Sequence, residues 1–127
     1  MANSYLIFPN LYPKELILGI EIREKVAKYV FETILAMRKA ENNKKYHNIS
    51  VIHTNAMQYL KNYIWDNQIS KIFIWFPDPY FKRKQHKRRI FSERMVNEFV
   101  SVLQPGGKIY SITDIKGKPT AYSIKYH

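Results

Sequence analysis

The sequence predicts an α/β fold built on a parallel, doubly wound sheet, and three observations lead there. Short apolar, β-branched runs alternate with amphipathic helical stretches in a β-α-β-α-β-α-β order, the pattern of strands joined by helical crossovers. The run from Lys71 to Phe76, KIFIWF, is apolar almost throughout, which suits a strand buried on both faces of a parallel sheet. Acidic residues stand where strands end, at Glu21, Asp78 and Asp114, on the edge of an open α/β sheet where ligands bind.

Taken in order, Ala2 to Pro13 reads as the end of a helix followed by a loop. Leu16 to Ile20 is a short strand that delivers Glu21. Ile22 to Ala40 is a helix, with Ile22, Val26, Tyr29, Val30, Ile34 and Met37 as its core-facing stripe at three- and four-residue spacing. Glu41 to Asn48 is a polar, basic loop, and Ile49 to His53 the next strand. Thr54, Asn55 and Ala56 form its exit, where Asn55 suits a helix cap. Met57 to Ile64 is a short helix with Tyr59, Leu60, Tyr63 and Ile64 turned inward, and Asp66 to Ser70 leads into the strand at Lys71. Ser92 caps a helix to Leu103, with Met95, Val96, Phe99, Val100 and Leu103 on one face; Pro105, Gly106 and Gly107 then end it. Lys108 to Thr113 is a final strand, and Lys116 to His127 a polar, basic tail. Residues 1–127 read as one partial domain.

Composition narrows the class of partner. The formal charge is +11 and the sequence pI about 9.8, which favours an acidic partner such as a nucleic acid. The chain has no cysteine, so disulfides and thiolate metal sites are excluded. Histidines 47, 53, 86 and 127 lack metal-ligand spacing, and no metal site is expected. No run approaches the roughly 20 apolar residues that span a bilayer, and the N-terminus lacks a signal-peptide plan. A soluble, intracellular protein without a membrane contact is expected.

The stretch after the Lys71 strand carries the chemistry. Pro77 and Pro79 remove backbone donors and fix φ, holding the Asp78 carboxylate on a stiff turn at the strand end. Lys82, Arg83, Lys84, Lys87, Arg88 and Arg89 follow as six positive charges within eight residues. Alone, such a run reads as a solvated face or a localisation patch, and Pro-Asp-Pro as a rigid turn. Together they fit a protein working on phosphate-rich material, since the cations would neutralise phosphates and release counterions.

FPDPYFKRKQHKRRI closely resembles the signature of the tRNA (guanine-N7-)-methyltransferases, with Phe81 and Ile90 similar to the eukaryotic branch. The likeness extends through LILGIEIR (Leu16 to Arg23), TNAM (Thr54 to Met57) and LQPGGKIYSITD (Leu103 to Asp114). It implies a Rossmann-like fold that uses S-adenosyl-L-methionine, with Asp78 as the catalytic carboxylate. Glu21 and Arg23 would serve the cofactor ribose, Asn55 and Ala56 would lie beside its adenine, and Trp75 close by. Lys82, Arg83, Lys87, Arg88 and Arg89 would hold the tRNA backbone. A WD-repeat non-catalytic subunit and a nuclear location are implied by the resemblance alone.

Two departures from the family shape the expectation. Counting back roughly 20 residues from Glu21 finds no glycine turn and no preceding strand. A central strand is thus expected to be missing, along with a Thr-x-Glu element and strands beyond Asp114. A non-catalytic RNA-binding fragment therefore stays open beside the enzyme. An amino-methyltransferase on nucleic-acid bases is a further alternative, although its Asp/Asn-Pro-Pro-Tyr/Phe order differs from the Pro-Asp-Pro-Tyr found here.

Overall fold

The computed structural model describes residues 8–76, 92–115 and 118–124, and these form two compact units divided after Gln58. In the first unit, α1 (Phe8–Leu11) leads to β1 (Ile17–Glu21), α2 (Glu24–Ala40) and β2 (Ile49–His53). Here β1 and β2 pair in parallel, Ile17 opposite Ile49 and Glu21 opposite His53. Helix α2 packs on this ladder. Its Val30 and Ile34 form a core with Ile49, around which Ile17, Val26, Tyr46 and Val51 pack.

Helix α3 (Ala56–Tyr63) runs from the first unit into the second, which holds β3 (Ile69–Phe76), α4 (Glu93–Val102), β4 (Leu103–Ile115) and β5 (Lys118–Ile124). β3 and β4 are parallel, and Phe73 stacks on its cross-strand partner Tyr110 with ring centroids 4.9 Å apart. Met95, Phe99 and Val102 supply the buried face of α4, and Ile74, Ile109 and Ile112 are buried on the strands. Ser92 caps α4, its hydroxyl accepting from the Met95 amide at 3.3 Å. Among the described residues, no helix is long and apolar enough to cross a membrane.

The alternation and the parallel pairing agree with the sequence, and several details correct it. Ile22 and Tyr29 are 60% and 50% exposed, while Ala27 is buried in the stripe expected of them. The helix begins only at Glu24, because Arg23 keeps an extended backbone with φ −87° and ψ 116°. Tyr59, Tyr63 and Val100 are also exposed, and Leu60 and Ile64 are the inward residues of their segment. The Pro105-Gly106-Gly107 stretch lies where the β3–β4 register shifts, between the Ile69–Leu103 and Lys71–Lys108 pairs. Gly106 there has φ +82°, a conformation that favours glycine. The expected polar tail instead contains β5, antiparallel to β4, with Thr120 opposite Thr113 and Ile124 opposite Ile109. The described strands form a two-stranded and a three-stranded sheet, β1–β2 and β3–β4–β5.

Ile34 is 1% exposed, so Ile34→Ala is expected to cost about 2–5 kcal/mol. Tyr29→Ala, at a half-exposed position, should stay within about 0.5 kcal/mol. Urea unfolding of both variants checks this, and equal losses would restore Tyr29 to the core.

Candidate functional site

The C-terminal edge of the β1–β2 ladder gathers four of the sequence-predicted residues. Glu21 ends β1 and is 8% exposed. A carboxylate removed from water needs compensating donors. Arg23 supplies two, its Nε at 2.5 Å and its main-chain amide at 3.3 Å, both to Oε1. Among the described residues Oε2 of Glu21 accepts no hydrogen bond, and it is an acceptor this edge has to offer. The turn behind it is fixed on both sides: the Thr54 amide donates to the Glu21 carbonyl at 3.1 Å, and the Ala27 amide to the Arg23 carbonyl at 2.9 Å.

Asn55 stands where β2 gives way to α3. Its Oδ1 accepts from the Met57 amide at 3.0 Å, and its carbonyl accepts from the Gln58 amide at 3.1 Å. The side chain is therefore a helix cap, and Ala56 is the first residue of the helix it caps.

His53 belongs to this edge and escaped the sequence reading. It is the register partner of Glu21, and its Nε2–H donates to the Ile22 carbonyl at 3.0 Å. That bond leaves Nδ1 of the neutral ring as an acceptor. No spacing rule marks His53, since only pairing between segments some 30 residues apart brings it beside Glu21.

Trp75 lies in the second unit, half-buried on β3 opposite Ile112 of β4. Asp78 and the basic residues Lys82, Arg83, Lys87, Arg88 and Arg89 lie outside the described residues.

Parallel strands with helical crossovers, and an acidic residue closing the first of them, define a Rossmann-like α/β protein. A family model described as "Putative methyltransferase" matches residues 4–123, and the chain belongs to that family. It is 48% identical over 107 residues to a tRNA (guanine-N(7)-)-methyltransferase of Arabidopsis thaliana, covering 84% of this chain and 43% of that protein. The enzyme of the same name from Caenorhabditis elegans is 50% identical over 107 residues, with 83% and 41% covered. That of Anopheles gambiae is 47% identical over 105 residues, with 83% and 44% covered. The chain thus spans about two fifths of the length of the curated relatives it matches.

Asn55→Ala removes the cap and is expected to lower stability by about 1 kcal/mol, with Asn55→Asp retaining most of it. A shift in the urea midpoint reads this, and an unchanged midpoint in the alanine variant would remove Asn55 from the capping role.

Proposed function

We propose that this chain carries the cofactor edge and catalytic motif of an S-adenosyl-L-methionine-dependent tRNA (guanine-N7-)-methyltransferase. The observation that carries the reading is Glu21: a buried carboxylate at the end of a parallel strand, with Oε1 held by Arg23 and Oε2 open. An acceptor-only group in that position fits the paired hydroxyls of a ribose. The names of the relatives supply the reaction and the substrate class.

Bound there, S-adenosyl-L-methionine would supply the methyl group. Glu21 would accept from the ribose hydroxyls, while Arg23 orients the carboxylate. The exit at Asn55 and Ala56 would border the adenine, and Trp75 would lie near the cofactor. Guanine N7 presents a lone pair, so no proton has to leave before transfer. Positive charge develops on the purine as the methyl arrives, and the Asp78 carboxylate, fixed between two prolines, would stabilise and orient it. Lys82, Arg83, Lys87, Arg88 and Arg89 would hold the RNA backbone as phosphate contacts. A WD-repeat partner subunit and a nuclear location complete the proposal.

Incubation with labelled S-adenosyl-L-methionine and tRNA, followed by nucleoside analysis, tests it. 7-Methylguanosine is the expected product, and its absence alongside salt-dependent tRNA binding would leave a non-catalytic RNA-binding protein. Asp78→Ala is expected to abolish product while sparing tRNA affinity; retained turnover would sink the assignment. Glu21→Gln should weaken binding of S-adenosyl-L-methionine by about 10- to 100-fold, because a charge-assisted hydrogen bond becomes a neutral one. Equilibrium dialysis reads that loss independently of turnover.

A further inference from the structure

At the opposite end of the β1–β2 ladder from Glu21, two loops are bound to each other. The side-chain amide of Asn48 donates to the Tyr12 carbonyl at 3.0 Å and to the Glu15 carbonyl at 3.1 Å. The Asn48 carbonyl in turn accepts from the Ile17 amide at 2.7 Å, where the ladder begins.

The loop from Glu41 to Asn48 is closed on itself. The Asn43 amide donates to the Arg38 carbonyl at 2.8 Å and the Lys44 amide to the Glu41 carbonyl at 3.1 Å. His47 Nε2 donates to the Asn43 carbonyl at 2.6 Å. Arg38 grips the loop from the end of α2, with Nε on the Tyr46 carbonyl at 2.7 Å and Nη2 on the Ile49 carbonyl at 2.8 Å. Asn42, Asn43 and Tyr46 hold left-handed φ values of 53°, 59° and 67°. Outside glycine such values persist only where surrounding bonds over-determine them.

None of the bonds that set this shape uses a lysine side chain. Lys14, Lys39, Lys44 and Lys45 are all exposed, and among the described residues none of their ammonium groups meets a carboxylate. Glu15 and Glu41 are the acids on the same loops. A hydrogen-bonded platform thus presents unneutralised cations at little further ordering cost, which is what a polyanion-binding surface requires.

We propose that this two-loop face is a second phosphate-contact surface for an RNA backbone, in addition to the contacts proposed for Lys82, Arg83, Lys87, Arg88 and Arg89. The choice of RNA as the polyanion rests on the function proposed above. Lys44 and Lys45 are its central contacts, with Lys14 and Lys39 at its borders.

The test compares two double variants that remove equal charge from the first unit, Lys44→Ala/Lys45→Ala and Lys25→Ala/Lys28→Ala. All four lysines are exposed. Binding of a tRNA transcript is measured between about 50 and 200 mM salt, where each phosphate contact contributes roughly 0.7–0.9 to the slope of log affinity against log salt. The Lys44/Lys45 variant is expected to flatten that slope by about 1.5 and to lose about tenfold in affinity at the upper salt. The Lys25/Lys28 variant should leave the slope unchanged. Equal effects of the two variants, no effect of either, no RNA binding by the parent protein, or capture of phosphatidylserine vesicles through Lys44 and Lys45 without an RNA effect would each overturn the surface. Methyl transfer is followed on the same samples. A Lys44/Lys45-dependent slope without 7-methylguanosine keeps the surface and defeats the methyltransferase reading; product formed with an unaltered slope does the reverse.

Discussion

Two parallel strands have no stability of their own, so the first unit depends on how α2 covers them. An isolated ladder leaves both faces wet, and parallel pairing is found where crossover helices bury it. Here Val30 and Ile34 lie on Ile49, with Ile17 and Val51 beside them, and that contact selects the register. A slip of one residue in β1 would carry Ile17 and Glu21 to the opposite face together. The packing that holds the unit together therefore also delivers the carboxylate to its place. Since the strands run the same way, their C-terminal ends collect Glu21, His53 and the start of α3 at one edge. Their beginnings collect the loops at the other.

Glu21 is costly where it stands. Its partner Arg23 keeps a side chain that is 58% exposed, so the pair ranks with surface ion pairs of about 0–1 kcal/mol. Desolvating a carboxylate costs several kcal/mol before compensation. An apolar residue would close the strand at less expense, and nothing in the packing of the unit requires a charge at this position. Two bonds, from the Thr54 amide to the Glu21 carbonyl and from the His53 ring to the Ile22 carbonyl, hold the turn without using the carboxylate. What the charge adds is an oriented acceptor, which is a functional property and not a folding one.

Strands were the most legible part of the sequence, because apolar β-branched runs bounded by polar residues state their own limits: β2 occupies the expected Ile49 to His53, and β1 is displaced by one residue. Helical faces were less legible. The spacing rule admits Ile22 to the α2 stripe, yet Arg23 keeps an extended backbone and the helix starts only at Glu24. Apolar spacing points Tyr29, Tyr59 and Tyr63 inward, but a tyrosine carries a polar tip and sits readily at a half-exposed position. β5 was hidden by its composition, since an edge strand tolerates proline and polar residues that read as a tail. In the candidate site, Glu21 and Asn55 were legible from their positions at strand ends. His53 and the Asn48 clamp were not, because both depend on contacts between segments distant in the sequence.

The two ends of the β1–β2 ladder carry opposite electrostatics, and their separation decides whether each can act alone. Strands of five residues at about 3.3 Å per residue place the lysine loops roughly 16 Å from Glu21. That is about twice the screening length of ~8 Å at physiological ionic strength. Exposed ammonium groups at such a distance do little to neutralise the carboxylate or to change what it accepts, so Arg23 remains its effective counter-charge. Conversely, one buried carboxylate does little to weaken the attraction of the loops for an anion. The strongly positive balance of the chain is therefore no obstacle to an acceptor site within it. A short parallel ladder keeps a precise hydrogen-bonding edge and a diffuse electrostatic face on one rigid element, far enough apart to be altered separately.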